Sequence, residues 1–233
     1  MNNKLKPVTL IVGASSEISF ELIQKFEKTK TLLIVSRNKP QLINENFFIS
    51  HNIEKVPLTA DIINKKLENE YYIENLIYTS SFQSGRKELT DLSNEEIISS
   101  FNVNIINLII LVKEIIKSRP KLSGSFIFFG SQSTIFGGDR IAAYASSKGA
   151  IEVFTKSLSK EVGRYGLRVN CISIGTVKTK QLLKDNFDES KAINTIPLKR
   201  LGLPTDVVNL TEWLISDLSS YMTGCIIPLA GGR

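Results

Sequence analysis

Apolar residues along the chain follow two rhythms. One is a short, continuous, largely β-branched run, seen at residues 8–12, 32–35, 56–60, 76–79, 125–129, 168–174 and 225–229. Runs of this length fit strands buried on both faces, as in a parallel sheet. The other rhythm is helical. Ile18, Leu22 and Phe26 recur at helix spacing, as do Ile151, Phe154, Leu158 and Val162, each set marking one apolar stripe. Residues 97–116 read as a longer helix, apolar nearly all round, which predicts burial against a partner subunit as well as against the sheet. Strands and helices alternate with no linker, repeat or low-complexity block between them. The expectation is one α/β domain over residues 1–233, a doubly wound seven-stranded parallel sheet with helices on both faces. Ligands on such a sheet bind beyond the carboxyl ends of its strands.

Composition narrows the function classes. With 42% hydrophobic and 22% charged residues the chain can fill a core, so disorder is not expected. No apolar run reaches the roughly 18 residues of a membrane span. Met1-Asn2-Asn3-Lys4 leads directly into a strand-like run rather than a signal-peptide segment. Cys171 and Cys225, the two cysteines, sit inside apolar runs and form no disulfide framework. A reducing, cytoplasmic setting with no membrane partner is expected. His51 is the single histidine and no cysteine pair has zinc spacing, so no metal site is expected. The formal charge of +6 comes from scattered lysines, a pattern of a solvated surface rather than of a nucleic-acid partner.

The informative residues fall where a ligand should lie. The first strand runs into Val12-Gly13-Ala14-Ser15-Ser16-Glu17-Ile18-Ser19, where a helix begins. A glycine turn feeding a helix N-terminus offers backbone N–H groups and a positive dipole end to a pyrophosphate. The same segment is also an ordinary strand-to-helix turn with a serine N-cap. Farther on, Gly130-Ser131-Gln132-Ser133 ends a strand and Tyr144-Ala145-Ser146-Ser147-Lys148 opens a helix. Tyr144 and Lys148, four apart, share one helix face, and Ser131 precedes Tyr144 by thirteen residues.

With these segments the chain resembles the short-chain dehydrogenases/reductases along its whole length, nearest the 3-oxoacyl-(acyl-carrier-protein) reductase branch. The resemblance implies a Rossmann-type fold, a nicotinamide cofactor and a small carbonyl or alcohol substrate. The turn resembles the family's Thr-Gly-x-x-x-Gly-x-Gly, and Gly13, Ser15, Ser16 and Ile18 are then cofactor-binding. Glu17 and Ser19 stand where the family has glycines. Ser19 is small. Glu17 brings a carboxylate close to an anionic ligand, which predicts weakened cofactor affinity. After the second strand Ser36 takes the place of the acid that binds a ribose 2′-hydroxyl, and Arg37 follows. A guanidinium can hold a 2′-phosphate, so NADP(H) is favoured over NAD(H). Asp61, with Ile62, resembles the family's adenine contact. Tyr78-Thr79-Ser80-Ser81 replaces its Asn-Asn-Ala-Gly, with Ser80 and Ser81 still permitting close backbone approach.

The resemblance gives Asn104, Ser131, Tyr144 and Lys148 the catalytic roles. Ketone reduction needs hydride at carbon and a proton at oxygen. A phenol with a pKa of about 10 keeps its proton at neutral pH, and a nearby ammonium lowers the cost of the anion. Tyr144 is then the general acid. Ser131 donates to the developing oxyanion, and Lys148 holds the nicotinamide ribose. Asn104 kinks the long helix and binds a water leading to the lysine. Asn102 aligns less well. Ser133 could assist with substrate, but reads first as structural. Ile174-Gly175-Thr176-Val177-Lys178-Thr179 resembles the Pro-Gly-x-x-x-Thr turn, making Gly175, Val177 and Thr179 cofactor contacts. Ala230 replaces an aspartate before Gly231-Gly232. A homotetramer or dimer is implied.

Two substrates compete. A 3-oxoacyl thioester fits the nearest branch. A sugar or polysaccharide precursor suits the short polar cover at residues 180–196, with Lys184, Asp185, Asp188 and Glu189. A cofactor-impaired binding member is the third reading, motivated by Glu17, Ser19 and Ser80.

Overall fold

The computed structural model describes residues 5–40, 47–68, 70–118, 123–183 and 187–233. Seven strands form one sheet: β1 Lys6–Val12, β2 Leu32–Ser36, β3 Phe47–Ser50, β4 Tyr71–Tyr78, β5 Gly124–Ser131, β6 Leu167–Ile174 and β7 Ile226–Leu229. Their order is β3-β2-β1-β4-β5-β6-β7, and every neighbouring pair is parallel. The order reverses between β1 and β4, which opens a crevice at the carboxyl ends of those two strands.

Alternation along each strand supplies both faces. Val8, Leu10 and Val12 of β1 enter one apolar cluster while Ile11 enters the other, as a period of two requires. On one face pack α1 (Glu17–Phe26) and α9 (Pro204–Ile215), through Leu22, Phe26, Val207 and Leu214. On the other lie α2 (Ala60–Leu67), α4 (Asn107–Ser118) and α6 (Ala142–Val162), through Ile63, Leu108, Ile151 and Leu158. Helix starts are written locally. Ser16 caps α1 by accepting the Ser19 N–H, and Ser93 with Glu96 forms a capping box at α3 (Asn94–Phe101). Short helices α5 (Ser133–Phe136), α7 (Lys180–Leu183) and α8 (Glu189–Asn194) complete the order.

Two expectations need correction. The third strand is Phe47–Ser50, not residues 56–60. Pro57 has no N–H for a ladder, Thr59 is the N-cap of α2, and Ala60 already belongs to that helix. The long helix, read as one run over residues 97–116, is also divided, at the point where Asn104 is expected to kink it: α3 and α4 are joined by a π-helical turn, Asn102–Ile106. By length and composition Asn94–Ser118 could cross a membrane, although no eighteen-residue apolar run was expected. Here Leu108, Leu111, Val112 and Ile115 are buried in the sheet's core. Ile98, Ile106 and Ile109 remain exposed on its outer side. Lys184, Asp185 and Met1 to Lys4, named above, lie outside the described residues.

Candidate active site

At the end of β1 the backbone must make room for the end of β4. Gly13 has φ +102°, and a Cβ there would stand 2.6 Å from the Ser80 backbone N. Only glycine meets both demands. Its N–H bonds Val35 O (2.9 Å), and the Thr79 and Ser80 N–H groups both reach Val12 O (2.9 and 3.1 Å). The three strand ends are thereby tied at the crevice.

Ser19 is fully buried and is part of that tie. Its Oγ donates to Gly13 O (2.7 Å) and lies 2.8 Å from Thr79 Oγ1 and 2.7 Å from Ser16 Oγ. The serine that replaces a glycine therefore fills its site with hydrogen bonds rather than leaving it degraded. Glu17 makes its contact outside the turn: its Oε2 accepts from the Lys180 backbone N–H at 2.6 Å. Ile18 packs its side chain against the core.

Beside the turn lies a cleft of about 370 Å³ lined by Gly13, Ser15, Ser16, Ser36, Arg37, Asn52, Ile53, Ser80 and Ser81, among others. That volume is within the range of small-molecule sites. Glycine backbone, a helix N-terminus and a guanidinium make a donor set suited to a phosphorylated dinucleotide. Asp61 and Ile62 are not in it. They sit in the first turn of α2, where Asp61 is exposed and Ile62 packs on the core. His51, Asn52 and Ile53, directly after β3, line the cleft instead. Misplacing the third strand hid them. The signal was the run Phe47-Phe48-Ile49 ahead of them.

β5 and α6 bring the second cluster together. Ser131 ends β5. Its Oγ accepts from Ser133 Oγ (2.9 Å) and Ser133 N (3.2 Å), so the Ser131 proton is free to point toward Tyr144. Ser133 thus has a positioning contact as well as a structural one. The Ser131 and Ser81 hydroxyls are the side-chain groups that act on the Tyr144 phenol. Burial raises the Tyr144 pKa, and those two hydroxyls oppose the rise. Lys148, one turn on, is 3% exposed. Its ammonium donates to Phe129 O at 2.8 Å and lies 5.8 Å from the Tyr144 ring centroid. Burial pushes its pKa down to about 8, with the Cys171 sulfur opposing.

Asn104 stands in the π-helical turn, fully buried. Its Oδ1 accepts from Phe82 N (2.7 Å), and its Nδ2 donates to Phe82 O (3.0 Å) and Ser147 Oγ (2.8 Å). Ser147 Oγ in turn donates to Tyr144 O (2.7 Å). Tyr78, where the family has asparagine, donates its hydroxyl to Val103 O (2.6 Å) within the same turn. Sequence reading did not find this bond, because only the fold brings residue 78 to residue 103.

After β6, Gly175 fits tightly against Ala230, where a Cβ would meet Ala230 Cβ at 2.9 Å. Val177 pairs with Gly202, and Thr179 Oγ1 accepts from Leu182 N (3.2 Å). Ser81 lines the cleft and also acts on Tyr144, so the cluster of Ser131, Tyr144 and Lys148 adjoins the cleft that the glycine turn helps to form.

A crevice at the β1/β4 switch point with a serine, a tyrosine and a lysine beside it defines a class of nicotinamide-dependent oxidoreductases. Comparison with known proteins agrees. The family model described as enoyl-(acyl carrier protein) reductase matches residues 45–233. The 3-oxoacyl-(acyl-carrier-protein) reductase FabG of Chlamydia trachomatis serovar D is 32% identical over 178 residues, 74% of this chain and 71% of that protein. FabG of Buchnera aphidicola subsp. Schizaphis graminum is 28% identical, covering 97% of each chain. The match to Protein FixR of Bradyrhizobium diazoefficiens, 34% identical, takes in 57% of this chain but 48% of that protein. Among solved structures, 4-hydroxyisoleucine dehydrogenase complexed with NADH superposes with TM-score 0.85 at 26% identity, covering 97% and 98% of the two chains. The chain belongs to the short-chain dehydrogenase/reductase family, and its Rossmann-type fold is that family's. It is an NAD(P)H-dependent oxidoreductase of that family.

Proposed function

We propose that the protein reduces a ketone to a secondary alcohol with NADPH, acting as a cytoplasmic homo-oligomer. The observation that carries the reading is the cluster of Ser131, Tyr144 and Lys148 beside a cleft whose other end holds Arg37. Gly13, Ser15, Ser16, Ser36, Arg37, Asn52, Ile53, Ser80, Ser81, Gly175, Val177 and Thr179 would hold the dinucleotide, which supplies hydride to the carbonyl carbon. Tyr144 keeps its proton at neutral pH, because burial raises its pKa, and gives that proton to the carbonyl oxygen. Ser131, its lone pairs engaged by Ser133, spends its own proton on the same oxygen as negative charge develops. The Lys148 ammonium steadies the tyrosinate left behind and binds the nicotinamide ribose. Arg37 selects the phosphorylated cofactor, and no acid stands at Ser36 to oppose it.

A 3-oxoacyl thioester is the substrate that the FabG relatives support. A sugar is the second reading. The L-xylulose reductase of Caenorhabditis elegans is 25% identical over 96% of this chain and 94% of that protein, and the substrate cover is polar. A panel of 3-oxoacyl thioesters, ketoses and simple ketones, read by NADPH absorbance, separates the two. Turnover of ketoses alone would retire the thioester reading. NADPH binding with no turnover of any of them would favour a binding role.

A further inference from the structure

The carboxylate of Glu17 bridges two segments that are 163 residues apart in sequence, the start of α1 and the start of α7. Glu17 is the first residue of α1, a helix fixed by the Ser16 cap and by the buried Ser19 hydroxyl. Its Oε2 accepts from the backbone N–H of Lys180 at 2.6 Å, and its Oε1 lies 3.8 Å from the Lys180 ammonium. Lys180 begins α7, the entry to the substrate cover. The segment just before it is held from the far side. Lys178 N donates to Gly202 O (2.8 Å), Gly202 N donates to Thr176 O (3.0 Å), and Lys178 Nζ meets Glu189 (2.8 Å). Thr179 and Lys180 have no such tie to Gly202 or Glu189 among the described residues. On the cleft side, Glu17 is their link to the glycine turn. A glycine at position 17 could not make it.

We propose that Glu17 is a positioning residue for the substrate cover, strapping its first residue to the dinucleotide turn. The backbone contact carries the strap. It is the shorter of the two and charge-assisted, whereas the Lys180 side chain is 86% exposed and its ion pair is screened. The strap replaces the degraded-turn account of Glu17. The carboxylate is directed at a peptide N–H at the start of α7 rather than at the phosphate-binding turn.

Amide hydrogen exchange on the full-length protein without ligand tests this independently of catalysis. In Glu17→Ala the Lys180 amide and its neighbours through residue 183 should exchange about three- to tenfold faster, the amount expected of one partly exposed charge-assisted bond. Glu17→Gln, which keeps an acceptor oxygen, should restore most of the protection. Lys180→Ala, which keeps the N–H and removes the ammonium, should also stay protected. Where the family activity is assayed, Glu17→Ala should raise the substrate KM several-fold with kcat within about twofold, because a loosened cover changes capture before chemistry. That last arm rests on the proposed reductase function, and the exchange arms do not. Unchanged exchange at residues 179–183 in a Glu17→Ala protein with wild-type circular dichroism would overturn the strap. So would equal deprotection in Lys180→Ala, which would assign the contact to the side chain.

Discussion

At the turn after β1 the chain departs from its family twice, with Glu17 and Ser19 in glycine positions, whereas at β5 and α6 Ser131, Tyr144 and Lys148 all stand as the family has them. The two ends of the crevice tolerate change differently for a physical reason. A phosphate site works mainly through backbone N–H groups and a dipole, so a new side chain is acceptable if it finds another direction. Ser19 finds it inward, among Gly13, Ser16 and Thr79, and Glu17 finds it at the start of α7. Proton transfer works through one named oxygen, and a substitute must carry a similar group at the same point. The comparison separates a scaffold that can be rewritten from chemistry that cannot.

The sharpest way to break that contrast is Tyr144→Phe. The ring is kept, so packing and NADPH affinity should hold while ketone reduction falls about 10²- to 10⁴-fold. Steady-state rates beside a fluorescence titration of NADPH check both halves. A variant retaining a tenth of wild-type turnover would place the acid elsewhere. Lys148→Ala should differ by losing cofactor affinity as well as rate.

Next in size is Arg37→Ala. Loss of a charge-assisted contact is worth about 1.5–3 kcal/mol, or roughly 10- to 150-fold weaker NADPH binding, with NADH nearly unaffected. Equal weakening of both cofactors would remove Arg37 from the 2′-phosphate.

A pH profile probes the other end. Burial lowers the Lys148 pKa to about 8, so its ammonium is present below that value and is lost as pH rises through it. Reduction measured as kcat/KM should therefore fall above about pH 8, approaching tenfold per unit at the limit. A flat profile to pH 10 would mean that the bound cofactor raises this pKa well clear of 8 or that Lys148 is not required as a cation.

The smallest effect expected is at Ser19. Its hydroxyl is buried and bonded, so Ser19→Gly, although it restores the family residue, should destabilise the fold by about 1 kcal/mol and should not tighten NADPH binding. Thermal melts and titrations on one preparation decide it. A tighter, equally stable variant would show that the hydroxyl merely fills space.

The architecture was legible because parallel strands buried on both faces write continuous apolar runs, and six of the seven runs named from sequence overlap strands. The exception is instructive. Residues 56–60 and Phe47–Ser50 both offer apolar residues, but Pro57 excludes ladder pairing through the first. Reading the strand there also drew attention to Asp61 and Ile62, whereas the residues that follow the observed strand and line the cleft are Asn52 and Ile53. Gly13, Ser131, Tyr144 and Lys148 could be placed because each sits at a strand end or on one helix face, positions that local spacing encodes. The bonds Tyr78–Val103 and Glu17–Lys180 could not, because they join residues 25 and 163 apart and depend on how the crossovers close.

Asn104 carries a consequence for register. One carboxamide grips the Phe82 backbone on the loop after β4 and, through Ser147, the Tyr144 carbonyl on α6. The loop that would seat the hydride donor and the helix that bears the proton donor are thus gauged from a single buried amide. One buried amide therefore fixes where the loop stands relative to the helix. A reaction that must place a hydride and a proton on adjacent atoms needs both donors held in register, and a common anchor serves that end.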